Sequence, residues 1–410
     1  MKCSGCRCAE TFYCSRECQV KDYATHKYDC KEAGASALSV ALSSLPPSQK
    51  EFDVDDYFLL RKTYFKLCKM SKTKVKGVPP LSASLENLAQ GATNSDDTLT
   101  CFAVVVSILG ERPSHANLDS LARHSLTAFF VTLLSKFRSN NFGIASPLQV
   151  VIGAGIYEEG AVLNHSCSPN CVLIYAQTRN ALMEQHIVVI KDVEEGEELC
   201  HSYVELAQTT KNRRDHLNFT YGFTCRCVRC AGEKGGELDK LFEGVQEPIP
   251  ESVRREIEAR IERAEAAMYS DEPDDPVLEY SLVAKSLEQQ RKYLHPLNLQ
   301  LYKNEGLALG LAMLSGDTGK SIEHCEKLVY FLRNVLPSYH PLLALQVMTL
   351  AELYQGCANY QSAKKAHGEA LGKFQVLYGH CSPDHDFLLR SKENLKACNQ
   401  AISQEVARTL

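Results

Sequence analysis

The sequence predicts an α+β protein with a small β-domain set between helical stretches, and three observations carry that prediction. Short β-branched runs (LQVVIGAGIY, NCVLIYAQ, EQHIVVIKDV) crowd into residues 140–203, separated by Gly, Asn or charged turns. Before that region and through residues 250–405, apolar side chains recur at three- and four-residue steps, the period of an amphipathic helix. Cysteines gather in two clusters, six between Cys3 and Cys30 and three at Cys225, Cys227 and Cys230.

Composition narrows the class. A chain of 410 residues holds two or three domains, and 44% hydrophobic content is ordinary for a globular protein. A formal charge of -5 and a pI near 6.2 exert no global pull toward nucleic acid or anionic membrane. The longest apolar runs, CFAVVVSIL from Cys101 and LTAFFVTLL from Leu126, are about half the roughly 20 residues that span a bilayer, so they read as buried helices. No apolar signal segment stands at the N-terminus. With no sign of secretion, the clusters at knuckle spacing among the 18 cysteines point to zinc rather than disulfides. The scattered cysteines (Cys68, Cys101, Cys200, Cys325, Cys357, Cys398) are expected as small core residues.

Residues 1–31 read as a zinc-binding knuckle. Cys14-x3-Cys18-x7-His26-x3-Cys30 places thiolates and an imidazole at metal-ligand spacing, and Cys3-x2-Cys6 adds a second knuckle with Cys8 as a spare donor. Residues 32–139 are a linker followed by helices, interrupted by the loops SKTKVKGVPPL and QGATNSDD. Glu86 and Asn87 belong there to a solvated helix face. Residues 140–222 hold the strands and a closing helix around Ala207–Leu217, and residues 223–232 carry the CxCxxC cluster. GEKGG at Gly232–Gly236 reads as a linker. Residues 245–410 read as helical hairpins at a spacing of about 45 residues, marked by His295-Pro296, His340-Pro341 and Pro383-Asp384-His385. A tetratricopeptide-like array and a plain helical bundle both fit this pattern. Cys200 and His201 are adjacent on a strand, point to opposite faces, and so do not make a nucleophile and base.

Four segments then occur in a set order: FYCSRECQVKDYATHKYDC, LNHSCSPNC at Leu163–Cys171, EEGEELCHSY ending at Tyr203, and YGFTCRCVRC from Tyr221 to Cys230. Together they resemble the SET and MYND domain family of protein-lysine methyltransferases. The resemblance covers essentially the whole chain and is strongest over residues 140–232. It implies a SET β-domain with a helical insertion, a partial MYND-type zinc knuckle and an all-α C-terminal domain. It also implies transfer of methyl groups from S-adenosyl-L-methionine (AdoMet) to lysines of histone or non-histone proteins, in the nucleus, the cytoplasm or both. Tyr203 is then the catalytic tyrosine. Asn140, Asn164, His165 and Phe223 face the cofactor, and Phe142 and Tyr221 line the lysine channel. Cys167 is the fourth ligand of one zinc with Cys225, Cys227 and Cys230. The MYND-type knuckle holds one or two further zinc ions through Cys3, Cys6, Cys8, Cys14, Cys18, His26 and Cys30.

The expected partners are a protein substrate, a proline-rich peptide at the knuckle and a protein at the helical domain. No membrane is expected. DNA is not expected either, since Lys21, Lys27 and Lys31 are offset by Glu10, Glu17, Asp22 and Asp29. The family's Gly-Lys/Arg-Gly cofactor loop precedes its finger and does not occur in the first residues of this sequence. An N-terminally truncated member is therefore expected, and a non-catalytic zinc-finger and helical-repeat adaptor is the alternative reading.

Overall fold

The computed structural model describes residues 54–73, 78–90, 120–177, 183–244, 248–268, 275–382 and 384–409, with isolated positions ahead of 54 and between 101 and 105. Two compact units divide the chain. The first comprises Met1–Gly143, Ala154–Val162 and Arg179–Ala181, and the second the remainder. Cys3, Cys6, Cys8, Cys14, Cys18, His26 and Cys30 lie outside the described residues.

Among the described residues the first unit holds three helices: α1 (Val54–Ser71), α2 (Ala83–Asn87) and α3 (Ser120–Asn140). Their apolar stripes meet in a core of Leu60, Tyr64, Phe65, Phe129, Phe130, Leu133 and Phe137. Tyr64 lies 5.5 Å from Phe130, whose ring meets Phe129 edge-on at 5.2 Å. The five-residue α2 leaves its last carbonyls without helical partners. The buried Lys136 ammonium supplies them, donating to Glu86 O at 2.9 Å and Leu88 O at 2.8 Å. A cation at a helix C-terminus also meets the negative end of the helix dipole. Glu86 and Asn87 are exposed, as the sequence reading placed them.

Short strands follow in the chain. Strands β1 (Asn141–Ala145) and β2 (Val151–Ile156) form a ribbon. β3 (Asn164–His165) runs parallel to β6 (Cys200–His201), pairing Asn164 with Cys200 and His165 with His201. β4 (Cys171–Gln177) and β5 (Met183–Val189) form an antiparallel hairpin from Cys171↔Val189 to Gln177↔Met183. Two-residue strands carry no periodicity of their own, and β3 and β6 are set by their surroundings.

Helix α4 (Thr210–Tyr221) starts at the Thr209 cap and stops at Gly222, whose φ of 73° is the left-handed conformation that ends a helix. The cysteine segment then leads through α5 (Val228–Ala231) into α6 (Glu233–Phe242). The expected linker GEKGG is therefore a helix start. Gly232 is the N-cap, and burial of Phe242 (2% exposed) against Phe331 at 5.9 Å outweighs the low helix propensity of two glycines.

Among the described residues seven helices follow: α7 (Glu251–Met268), α8 (Pro276–Tyr293), α9 (Leu299–Leu314), α10 (Thr318–Val335), α11 (Pro341–Gly356), α12 (Tyr360–Tyr378) and α13 (Asp386–Thr409). Each packs on its neighbour in sequence, the order of a stacked array. The three histidines noted in sequence share one job, since Nδ1 of His295, His340 and His385 accepts the backbone N–H two residues on. Cys357 departs from expectation: it caps the C-terminus of α11 and is exposed, because that turn faces solvent. Cys200 is half-buried, while Cys68, Cys101, Cys325 and Cys398 are buried. One hydrophobic core runs from the β-hairpin into the helices through Ile174, Leu206, Leu217, Phe242, Phe331 and Phe374, with Cys167 and Cys225 embedded in it. Among the described residues no helix is long and apolar enough to cross a membrane.

Candidate active site and metal centre

The parallel β3–β6 pair places two motif segments side by side. Asn170 locks them together with its carboxamide, accepting from Cys200 N at 2.8 Å and donating to Glu198 O at 2.9 Å and Glu197 Oε1 at 3.0 Å. Ser166 N adds a bond to His201 O at 2.9 Å. Asn164 is exposed, and its nitrogen donates to Glu198 Oε1 at 2.6 Å, which leaves Oδ1 as its remaining acceptor.

Tyr203 follows β6 directly. Its hydroxyl donates to Leu163 O at 2.6 Å, and its backbone N–H donates to His165 Nδ1 at 3.0 Å. Tyr221, at the end of α4, lies 4.9 Å from the Tyr203 ring, and Phe223, just past Gly222, lies 6.5 Å away at 85°. The left-handed turn at Gly222 thus aims two aromatics from one helix end at Tyr203. Burial, with Tyr221 adding to it, pushes the Tyr203 phenol up to about 12. Burial lowers His165 and His201 to about 4, so both imidazoles are neutral near pH 7.

Asn140 and Phe142 belong to the first unit. The Asn140 nitrogen donates to Ala89 O at 2.8 Å and Lys136 O at 2.7 Å, and Phe142 meets Tyr157 edge-on at 6.2 Å. The structure brings Asn164, His165, Tyr203, Tyr221 and Phe223 together within the second unit.

Beside this aromatic group the sulfurs of Cys167, Cys225, Cys227 and Cys230 all lie within 4.8 Å of one another. Tetrahedral zinc with bonds of about 2.3 Å needs sulfurs roughly 3.8 Å apart, and Cys230 Sγ stands 3.5 Å from Cys167 Sγ. Two ligands come from the extended segment after α4 and one from α5, while Cys167 reaches in from the loop after β3. Donation from the Cys167 and Cys230 thiols draws the Cys227 thiol well below its ordinary range, whereas burial pushes Cys225 up to about 11.

The charge around the cluster matches zinc. Arg213 is fully buried, donating from Nε to Cys167 Sγ at 3.2 Å and from Nη2 to Cys230 Sγ at 3.6 Å. Its other bonds go to Gln208 O and Thr210 Oγ1. Arg229 donates to Leu206 O at 2.9 Å and Cys167 O at 3.4 Å, and Arg214 to Cys225 O at 3.0 Å and Cys230 O at 3.1 Å. Zn2+ bound by four thiolates carries a net charge of about −2, and a buried guanidinium aimed at two of the sulfurs is the counter-charge such a centre needs. These residues therefore fit a structural zinc ion.

Arg213, Asn170 and Glu198 were not singled out from sequence. KNRRD gives no sign in composition that one of its arginines is buried. Only the position of Arg213 one turn before buried Leu217, on the same face as the cap Thr209, hinted otherwise.

The SET domain family model matches residues 12–204. The chain is 26% identical over 395 residues to N-lysine methyltransferase SMYD2 of Gallus gallus, covering 95% of this chain and 84% of that one. The corresponding proteins of Mus musculus and Homo sapiens are each 24% identical over 396 residues at the same coverage. The chain thus carries a SET domain match, and its likeness to these methyltransferases over 95% of its length supports the SET and MYND domain family of protein-lysine methyltransferases.

Proposed function

We propose that this chain transfers a methyl group from AdoMet to the ε-amine of a lysine in a protein substrate. The observation that carries the reading is the Tyr203 phenol, tied to Leu163 O at 2.6 Å and flanked by Tyr221 and Phe223 within the same unit as the four cysteines. The relatives' activity as N-lysine methyltransferases supports it.

AdoMet, when bound, supplies an electrophilic methyl on a sulfonium sulfur. In-line displacement by an amine asks the protein mainly for alignment and exclusion of water. The exposed Asn164 oxygen and the Glu198 carboxylate form an acceptor pair suited to a ligand with ammonium and hydroxyl donors. Tyr203, held neutral by burial, does not serve as the base near pH 7; it orients the reacting groups through its hydroxyl. The faces of Tyr203, Tyr221 and Phe223 give an aromatic surroundings that accepts a lysine stem and tolerates its cationic product. Zinc at Cys167, Cys225, Cys227 and Cys230 staples this aromatic group to the core.

The proposal extends to histone or non-histone substrates, to nuclear or cytoplasmic residence, and to a tetratricopeptide-like docking role for α7–α13. One or two further zinc ions at the N-terminal knuckle, where a proline-rich peptide would bind, belong to it as well. Isothermal titration of the zinc-loaded chain with AdoMet tests it. Micromolar binding that Asn164→Ala abolishes is the expected result, and no binding by the folded chain would refute it.

A further inference from the structure

The His165 side chain joins the metal centre to the tyrosine. A backbone N–H only donates, so the 3.0 Å bond from Tyr203 N makes His165 Nδ1 the acceptor. With Nδ1 accepting, the ring N–H stands on Nε2, which lies 3.2 Å from Cys167 Sγ. One imidazole thus accepts from the tyrosine backbone and donates to a zinc-ligating sulfur. The ring also packs at 5.3 Å from Tyr203 and 6.1 Å from Phe223.

We propose that His165 is a positioning residue that couples occupancy of the four-cysteine centre to the placement of Tyr203, a role that rests on the methyltransferase reading of that tyrosine. With zinc bound, Cys167 is a thiolate and a strong acceptor, so the ring is held in the tautomer and rotamer that anchor Tyr203 N–H. Without zinc, Cys167 is a thiol that donates to its neighbours, and the ring loses one of its two fixed bonds. The same side chain stabilises the metal centre by donating to its sulfur.

Two substitutions separate the halves of this bridge. His165→Gln keeps a nitrogen donor at the Nε2 position and has no acceptor for Tyr203 N–H. His165→Asn keeps an acceptor at the Nδ1 position and has no donor for Cys167. In the zinc-loaded full chain, time-resolved alkylation by N-ethylmaleimide with peptide mass spectrometry reads Cys167, Cys225, Cys227 and Cys230 separately from the N-terminal cysteines. Hydrogen exchange at the Tyr203 amide reads its anchor. The expected result is a crossed pattern. His165→Asn alkylates about tenfold faster with Tyr203 exchange unchanged, and His165→Gln exchanges about tenfold faster with alkylation unchanged. Both variants within about twofold of the parent on both readouts, or both shifted on both, would overturn the proposal. Neither readout uses cofactor or substrate, so the bridge stands or falls independently of whether the chain transfers methyl groups.

Discussion

Replacing Arg213 with methionine is the most informative perturbation of the metal centre. The guanidinium is fully buried and makes two N–H···S bonds, to Cys167 at 3.2 Å and Cys230 at 3.6 Å. Methionine keeps the approximate volume and removes the charge. Each hydrogen bond to a charged group contributes about 1.5–3 kcal/mol. Sulfur is a diffuse acceptor and one bond is long, so the low end applies and the pair sums to about 3 kcal/mol. At 1.4 kcal/mol per factor of ten, the variant should release zinc from this centre about 100-fold more readily, the upper end of the range for groups that support metal ligands. The sign reverses without metal, because Cys167 is then a thiol and leaves the buried cation with little counter-charge. Chelation should therefore lower the melting temperature of the parent more than that of Arg213→Met. The assay is competition with a chromogenic chelator, with site-resolved alkylation identifying the centre that empties. Release within about twofold of the parent would refute the counter-charge argument.

Lys136→Met leaves the Glu86 and Leu88 carbonyls without their ammonium and should destabilise the first unit by about 3 kcal/mol, read as earlier proteolysis between residues 80 and 90. Asn170→Ala removes the carboxamide that ties Cys200 N to Glu197 and Glu198. A cost of about 2–3 kcal/mol is expected, with faster hydrogen exchange at residues 198–202. For Tyr203, the folded phenol sits near 12 against an unfolded value of about 10. Its neutral form is favoured by folding, so that contribution is whole below pH 10 and is lost as pH climbs toward 12. Alkaline unfolding of Tyr203→Phe should accordingly show a shallower loss of stability across that window than the parent, measured by urea melts at pH 9, 10 and 11.

Much of the site was legible because its chemistry is local in sequence. Cys225, Cys227 and Cys230 fall within six residues, so spacing announced three thiolate ligands, while Asn164, His165 and Cys167, within four residues, took their roles from the family resemblance. The long apolar runs of β4, β5 and α3 were equally readable. What escaped depends on tertiary neighbours. Arg213 looks like Lys211 and Arg214 in an amphipathic helix until the sulfurs across from it are known. Asn170 matters through atoms 28 and 30 residues away. GEKGG carries glycine's loop preference, and only the burial of Phe242 nine residues after Glu233 turns it into a helix. Cys357 resembles the buried cysteines in composition but falls on a helix-end turn, which no periodicity marks.

The central claim is tested most directly by incubating the zinc-loaded chain with methyl-tritiated AdoMet and arrays of lysine-bearing proteins, with Tyr203→Phe in parallel. The account predicts label on lysine ε-nitrogen with the parent, and transfer about 100-fold slower with Tyr203→Phe, whose ring stays packed while its bond to Leu163 O is gone. Equal transfer by both, or none by a parent that is folded and binds AdoMet, would contradict it.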